Sequence, residues 1–256
     1  MLSRRSFFEK ILRNPEAREL LMNSLAVGEA DSAIGLDRAS EHVEDPVLSR
    51  KIYRHYAEEK KHARLFGRRL EALGVEAKPL PPELDYEGLV RRFEMGTPQE
   101  RYDDPRPFDQ ADLIRFLVGC KAGEERACAE MHGLIQDFKA VGIDAETIAV
   151  LEEIYGDEIR HVSYATEELN RIAAKGPADR EEVVTALRRG RRAEARAHRI
   201  VSRTFLARLM TLAGVPGWIR FFAGIAIDVQ CTVRFLFPGG LDQPLVADAM
   251  PVPPPR

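Results

Sequence analysis

The sequence predicts an all-α protein built on four long helices, with a further helical region after them. Four segments repeat apolar residues at spacings of three and four, which is the period of an amphipathic helix. No segment alternates apolar and polar residues over a useful length, so no strand is predicted. The composition of the 256 residues, 45% hydrophobic and 31% charged, is typical of a folded chain rather than a disordered one.

The four predicted helices span about residues 15–41, 46–73, 110–138 and 145–174. Each carries one apolar stripe that is long enough to face a shared core. Representative stripe residues are Met22 and Leu36 in the first, Ile52 and Phe66 in the second, Leu117 and Met131 in the third, and Leu151 and Leu169 in the fourth.

The connections between these helices differ in length. The turns around Asp45 and Gly142 are short, and short loops join antiparallel neighbours. About 35 proline-rich residues separate the second helix from the third, which is enough chain to return along a bundle. The sequence therefore predicts two antiparallel hairpins joined by one long crossover, over residues 15–175.

A second region, residues 176–249, differs in character. Residues 180–203 contain eight Arg and three Glu, and an apolar stretch follows from Thr204 to Phe237. Two interpretations are open: helices that pack on the bundle with Arg in solvent, or a segment that contacts a membrane surface or a partner. In the second case the contact residues are Arg188, Arg189, Arg191, Arg192 and Trp218. The proline-rich residues 250–256 are predicted to be a disordered tail.

Charge and cysteine content exclude several classes of protein. The net charge of −3 is too small to indicate nucleic-acid binding, so no nucleic-acid partner is expected. The three cysteines form no Cys-x-x-Cys pair, which argues against a zinc ribbon, a rubredoxin-type iron site or a disulfide framework. No signal-peptide core and no run of 18 uncharged apolar residues is present, so a cytoplasmic protein is expected, with peripheral membrane attachment as the alternative.

Each predicted helix interrupts its apolar stripe with one glutamate. These residues are Glu29, Glu59, Glu124 and Glu158, and two of them are followed three residues later by a histidine, His62 and His161. A buried, unpaired carboxylate costs several kcal/mol, so four of them at core positions need partners or a metal. Residues three apart lie on one helix face, so each Glu-x-x-His pair can hold one ion.

The two halves of this pattern repeat. Both Glu-x-x-His pairs are preceded by a tyrosine, Tyr56 and Tyr155, and each lies 30 to 34 residues after a Gly-Glu pair. Four carboxylates balance the charge of two divalent ions, and carboxylate with imidazole suits iron or manganese. The two tyrosines are candidates for contacts with the ligands, with core packing as the alternative. The remaining histidines, His42, His55, His132 and His198, are interpreted as ordinary surface or core residues.

With these motifs, residues 15–174 resemble the ferritin-like di-iron carboxylate proteins, whose four-helix bundle has the same long crossover. The resemblance implies that Glu29 and His62 are terminal ligands of one metal, and Glu124 and His161 of the other. It implies that Glu59 and Glu158 bridge the two metals, which are two Fe ions, with Mn as the alternative. Glu125 competes with Glu124, which is preferred because it continues the apolar stripe.

The segment from Asp157 to His161 resembles the Asp-Glu-x-Arg-His motif of the oxygenase and desaturase branch of that superfamily. In that branch the Asp orients a ligating imidazole and the Arg neutralises the Asp, which implies these roles for Asp157 and Arg160. The equivalent segment of the second helix has Glu58 in place of Asp and Lys61 in place of Arg, so it keeps the charges but departs from the motif.

The resemblance implies an oxidoreductase that activates dioxygen to oxidise a small-molecule or lipid-like substrate, with an external electron donor. The alternatives are a ferroxidase or storage protein similar to bacterioferritin, a peroxide-reducing protein similar to rubrerythrin, and a membrane-surface protein without turnover. A storage shell leaves the C-terminal residues without a role, and the electron-delivery module of rubrerythrin needs paired cysteines that this chain lacks. A homodimer is an open expectation.

Overall fold

The computed structural model describes residues 4–237, and these residues form helices and connecting segments without a strand. The helices are α1 Arg4–Arg13, α2 Pro15–His42, α3 Pro46–Ala72, α4 Tyr86–Arg92, α5 Gln99–Asp103, α6 Gln110–Val141, α7 Ala145–Ala173, α8 Pro177–Leu212 and α9 Gly217–Leu236. The all-α prediction is confirmed for this part of the chain. The predicted tail, residues 250–256, and the end of the predicted extension lie outside the described residues.

The four long helices begin and end close to their predicted positions because local capping groups hold their ends. The side chain of Asp45 accepts hydrogen bonds from the first amides of α3, and Asp109 forms a reciprocal capping box with Asp112 at the start of α6. Helix α6 ends at Gly142, whose φ of 75° is a left-handed conformation that favours glycine.

The crossover between α3 and α6 runs along α2. Near its beginning, the backbone of Lys78 exchanges two hydrogen bonds of 2.8 Å with the side chain of Asn23. Near its end, the Phe108 amide donates to the carbonyl of His42, the last residue of α2. Helix α6 therefore starts at the end of the bundle where α3 starts. The short helices α4 and α5 lie within this crossover, and neither they nor α1 was among the predicted helices.

The C-terminal region forms two helices rather than an independent unit. Helix α8 is uninterrupted and approaches α6 closely at Gly190. A Cβ at this position would lie only 2.4 Å from Val118 Cγ1, so the contact requires glycine. Helix α9 packs against α8. Within residues 4–237, no helix is both long enough and apolar enough to cross a membrane.

Buried apolar residues form two main layers along the bundle. The first layer includes Met22, Phe66, Met131 and Leu151, and the second includes Leu36, Ile52, Leu117 and Leu169. On each of the four long helices, the glutamates at stripe positions lie between the residues of the two layers. The polar cluster described next is therefore enclosed by apolar layers toward both ends of the bundle.

Candidate metal centre

The structure brings all six predicted ligands together in the interior of the bundle. The contributing helices are α2 with Glu29, α3 with Glu59 and His62, α6 with Glu124, and α7 with Glu158 and His161. Both histidines and the three glutamates on α3, α6 and α7 are buried, and Glu29 is partly buried. Helical spacing thus places Glu-x-x-His on one face of α3 and of α7, and packing turns these two faces toward each other.

The ligand atoms fall into two groups, each suited to one metal ion. One group contains Glu29, Glu59, His62 and Glu158, and the other contains His55, Glu59, Glu124 and His161, with the ligand atoms of each group within 4.8 Å of one another. Glu59 belongs to both groups, whereas Glu158 belongs to the first group only.

The distances between facing atoms match those around a metal ion. In the first group, His62 Nδ1 lies 3.3 Å from Glu158 Oε1 and 3.5 Å from Glu29 Oε2. In the second, His161 Nδ1 lies 3.3 Å from Glu59 Oε1. Metal–ligand bonds of about 2.1 Å place neighbouring ligand atoms about 3.0–3.4 Å apart. The spacing of these atoms is therefore compatible with ions bound among them.

The atoms that face one another lack hydrogen bonds. Buried polar atoms without a hydrogen-bond partner include His55 Nε2, Glu59 Oε1, His62 Nδ1, His161 Nδ1 and both carboxylate oxygens of Glu158. Such atoms cost about 1–3 kcal/mol each when nothing satisfies them. These atoms are imidazole nitrogens and carboxylate oxygens, all of which can donate a lone pair to a cation. A bound cation would therefore satisfy the atoms that the protein leaves without partners.

A carboxylate on the opposite helix orients each Glu-x-x-His imidazole. His62 Nε2 lies 3.0 Å from Asp157 Oδ2, and His161 Nε2 lies 2.9 Å from Glu58 Oε2. Each carboxylate accepts the Nε2–H of its histidine, which leaves the Nδ1 lone pair directed into the cluster. Glu58 thus occupies the position in α3 that Asp157 occupies in α7, although the motif differs.

Basic side chains keep these two carboxylates ionised. Arg160 bonds both Glu58 and Asp157, and Lys61 lies 2.5 Å from Asp157. Burial works against ionisation of Glu58, but His161 and Arg160 lower its pKa to about 2. Burial likewise opposes ionisation of Asp157, yet its bonds with His62 and Lys61 hold its pKa below the usual range. The role predicted for Asp157 and Arg160 agrees with these contacts.

His55 is the cluster residue that the sequence analysis missed. Interpreted above as an ordinary histidine, it is buried, and its Nε2 lies 3.2 Å from Glu59 Oε1 and 3.1 Å from Glu124 Oε1. Its Nδ1 is 2.9 Å from the hydroxyl of Tyr164. The missed signal is its position four residues before Glu59, which places both side chains on one face of α3.

Burial and mutual repulsion govern the charge of the cluster. Burial, together with Glu59, raises the pKa of Glu29 well above its usual value, and burial with Glu158 does the same for Glu124. Burial also opposes ionisation of Glu59, but the imidazoles around it lower its pKa. Without a metal, protons on Glu29 and Glu124 reduce the repulsion between the carboxylates. Bound divalent cations would take the place of these two protons in reducing the repulsion between the carboxylates.

Several residues singled out from the sequence lie away from the cluster. Tyr56 is partly exposed, with Lys60 over its ring, and Tyr155 packs in the first apolar layer beside His132. For Tyr155, core packing is therefore the interpretation that agrees with the structure. Glu125 pairs with Lys121 at 2.6 Å, which agrees with the preference for Glu124 as the ligand on α6.

The arginines predicted as surface contacts separate into two sets. Arg188, Arg189 and Arg192 are exposed on α8, as is Trp218 on α9. Arg191 is instead partly buried, and its guanidinium lies 3.6 Å from the carboxylate of Glu125 on α6. A contact of Arg191 with a membrane or a partner stays a prediction.

Comparison with known proteins adds no relative. No protein-family model, no curated protein and no solved structure matches this chain.

Proposed function

We propose that the cluster binds two iron ions and that the protein is a ferritin-like di-iron carboxylate oxidoreductase, which activates dioxygen to oxidise an organic, apolar substrate. Manganese is the alternative metal. The observation that carries this proposal is the set of inward-facing imidazole and carboxylate atoms that lack hydrogen bonds. Four glutamates neutralise two divalent ions, which removes the cost of burying either charge alone.

The residues of the chain have distinct roles in this proposal. Glu59 belongs to both ligand groups, and the carboxylate of Glu158 lies 3.3 Å from His62 Nδ1 and 3.6 Å from His161 Nδ1, so these two residues would contact both ions. Glu29 and Glu124 would each complete the ligands of one ion. Asp157 and Glu58 hold the imidazoles of His62 and His161 in the tautomer that presents Nδ1. The two apolar layers exclude bulk water from the cluster on both sides.

When bound, two Fe(II) ions would supply electrons to dioxygen. Insertion of one oxygen atom into a C–H bond consumes one O₂, two electrons and two protons, and it releases one water. These two electrons must come from an external donor in each turnover, because the oxidation state of the iron ions would be the same before and after it. The C-terminal region supports an organic substrate over iron storage, since α8 packs on α6 and α7 and extends the bundle beyond four helices.

The test is metal analysis with oxygen consumption after anaerobic loading with Fe(II). We expect about two irons per chain and an oxygen uptake that stops after one stoichiometric burst. The Glu59→Ala/Glu158→Ala variant should retain no iron and show no burst. The matched control is Glu71→Ala/Glu167→Ala, which removes two exposed glutamates from the same two helices and should behave as the wild type.

The other outcomes identify the other functions. Continued uptake with hundreds of irons retained per assembly would show storage, and absence of metal from wild-type protein would show that the cluster is a structural polar core. Loss of iron from the control variant as well would mean that the assay reports folding rather than ligation.

A further inference from the structure

Helix α9 concentrates the exposed large apolar side chains of the described residues. Elsewhere in residues 4–237 such side chains stand singly, as Ile34 does on α2 and Tyr53 on α3. On α9, Trp218, Phe221 and Phe222 are each more than 60% exposed. The exposed set continues with Ile225, Val229, Val233 and Leu236. A contiguous exposed apolar face of this kind marks an interaction surface.

These residues form one stripe, here called the α9 stripe: Trp218, Phe221, Phe222, Ile225, Val229, Val233 and Leu236. Their spacings of three and four place them on a single side of the helix. The opposite side faces the protein, where Ile219 and Ala223 pack on the first apolar layer and Cys231 is buried. Because the opposite side of α9 packs against the protein, the α9 stripe faces outward.

A row of arginines on α8 borders the α9 stripe. Exposed Arg188, Arg192, Arg196, Arg199 and Arg203 recur at spacings of three and four, so they share one side of α8. This is the side that meets α9. The guanidinium groups of two of them lie over the Phe235 ring, and the other contacts reach Asp228.

The charge of this border is strongly positive. Asp228 is the only carboxylate in the α9 sequence, and it is shared by Arg199 at 2.8 Å and Arg203 at 2.5 Å. The remaining arginines of the row add positive charge along the length of the apolar surface. A partner must therefore bury apolar side chains and accept cations at the border.

We propose that the α9 stripe and its arginine border form a binding surface for an anionic lipid membrane, with α9 lying in the plane of the boundary between headgroups and acyl chains. An in-plane helix buries one apolar side while basic residues beside it meet anionic headgroups. Helix α9 is about 30 Å long at 1.5 Å per residue. A second copy of the chain carries the same arginine row, so its charge does not complement this surface. The proposal is independent of the metal cluster.

The chain offers its own reporter, because Trp218 is its single tryptophan. Full-length protein is titrated with vesicles of phosphatidylcholine alone and of phosphatidylcholine with phosphatidylglycerol. We expect a blue shift of Trp218 emission that requires several-fold less lipid with the anionic vesicles, and this advantage should shrink at high salt. Lipids brominated on the acyl chain should quench the emission.

Variants separate the two components of the surface. Phe221→Ser/Phe222→Ser should weaken binding at least tenfold, since it removes two large apolar side chains from the stripe. Arg188→Gln/Arg192→Gln, which removes two charges from the arginine border, should weaken binding only to the anionic vesicles. The matched control is Ile34→Ser/Tyr53→Ser, which removes equally exposed apolar side chains elsewhere and should bind as the wild type. Circular dichroism of each variant verifies folding.

Three results would overturn the proposal. One is an unchanged emission spectrum with every vesicle. Another is a dimer in analytical ultracentrifugation that Phe221→Ser/Phe222→Ser converts to a monomer, with Trp218 already blue-shifted before lipid is added, which would assign the stripe to a second copy. The third is an equal shift with single-stranded DNA, which would assign the arginines to a polyanion without acyl chains.

Discussion

The two hairpins contribute matching residues to the candidate metal centre, but the residues next to them differ. Four residues before the glutamate of the Glu-x-x-His pair, α3 has His55 and α7 has Ile154. Six residues after it, α7 has Tyr164 and α3 has Leu65. Four residues before the single glutamate, α6 has Cys120 where α2 has Leu25.

The three polar residues gather at one end of the cluster. His55, Tyr164 and Cys120 adjoin the second apolar layer, and the three apolar counterparts belong to the first layer. An internal repeat can thus supply two similar ligand groups while the residues beside the second layer make the two groups inequivalent. One group has a second imidazole, that of His55, and the other has only one.

The largest effect is expected from the carboxylate that the two ligand groups share. Glu59→Gln should abolish retention of both ions, because it removes a charge and a ligand from each group. Glu29→Gln should abolish retention of one ion only, and the ion beside His55 should remain. Metal analysis after loading and dialysis checks both variants. Retention of two ions by Glu59→Gln would contradict the shared role.

Removal of His55 tests the asymmetry directly. His55→Leu should weaken one of two binding steps at least tenfold and leave the other unchanged, because only one group contains His55. Anaerobic calorimetric titration with Mn(II) measures both steps without oxidation. Ile154→Leu, at the equivalent position of α7, is the control and should change neither. Equal weakening of both steps by His55→Leu would show that the ions are equivalent.

The orienting carboxylates should affect the two ions separately. Asp157→Asn should weaken the step that involves His62, and Glu58→Gln the step that involves His161, each by about 10–100-fold. The reason is that a neutral amide no longer favours the tautomer with a free Nδ1. The same titration checks this expectation, with Glu153→Gln, an exposed partner of Lys61, as control. An identical effect of both variants on one step would disprove the crosswise pairing.

A smaller effect is expected from Tyr164. Tyr164→Phe removes one hydrogen bond to His55 Nδ1, and such a bond contributes about 0.5–1.5 kcal/mol. Affinity for the ion beside His55 should therefore fall about twofold to tenfold, in the same step that His55→Leu weakens. A change in the binding step that does not involve His55 would show that Tyr164 does not act through its hydrogen bond with His55.

The smallest effect concerns the start of the second hairpin, which is held by Asp112 through Arg101, Arg115 and the amide of Asp109. Burial opposes ionisation of Asp112, but Arg101 and Arg115 lower its pKa. A lowered pKa stabilises the fold above the unfolded-state value of about 3.9, and this contribution is lost as pH falls through the folded-state value.

Asp112→Asn should therefore lower the Tm at pH 7 by about 2–4 °C for each kcal/mol lost. The difference from wild type should shrink below about pH 4. Thermal unfolding followed by circular dichroism at several pH values measures this. If the Tm difference between wild type and Asp112→Asn persists at the lowest pH, the substitution acts through packing or hydrogen bonding rather than through the charge of Asp112.

Much of the cluster was predictable because helical period alone determines which residues share a face. Glu59 with His62, and Glu158 with His161, follow from a spacing of three within an apolar stripe. The choice of Glu124 over Glu125 follows from the same stripe, and the structure places Glu125 against Lys121. The helices α4 and α5 were not predictable in this way, since they are short and lack a sustained apolar period.

His55 shows where prediction from spacing stops. A histidine four residues from a glutamate is common on helices, and nothing in α3 distinguishes this one. What makes it a cluster residue is Glu124 of α6 at 3.1 Å and Tyr164 of α7 at 2.9 Å, both distant in sequence. Tyr56 is a second example, because its stripe position leaves both a ligand contact and core packing open. The structure packs its ring against the second apolar layer.

The sequence by itself determined the all-α class, the two hairpins and the identity of the six Glu and His residues, because these depend on contacts within a helix or between its ends. Only the tertiary structure decided that Asp157 orients His62 and Glu58 orients His161, since this crosswise pairing requires α3 and α7 to face each other. It also decided that α9 turns its apolar stripe outward. That direction depends on which side of α9 the rest of the fold covers, and no local pattern contains this information.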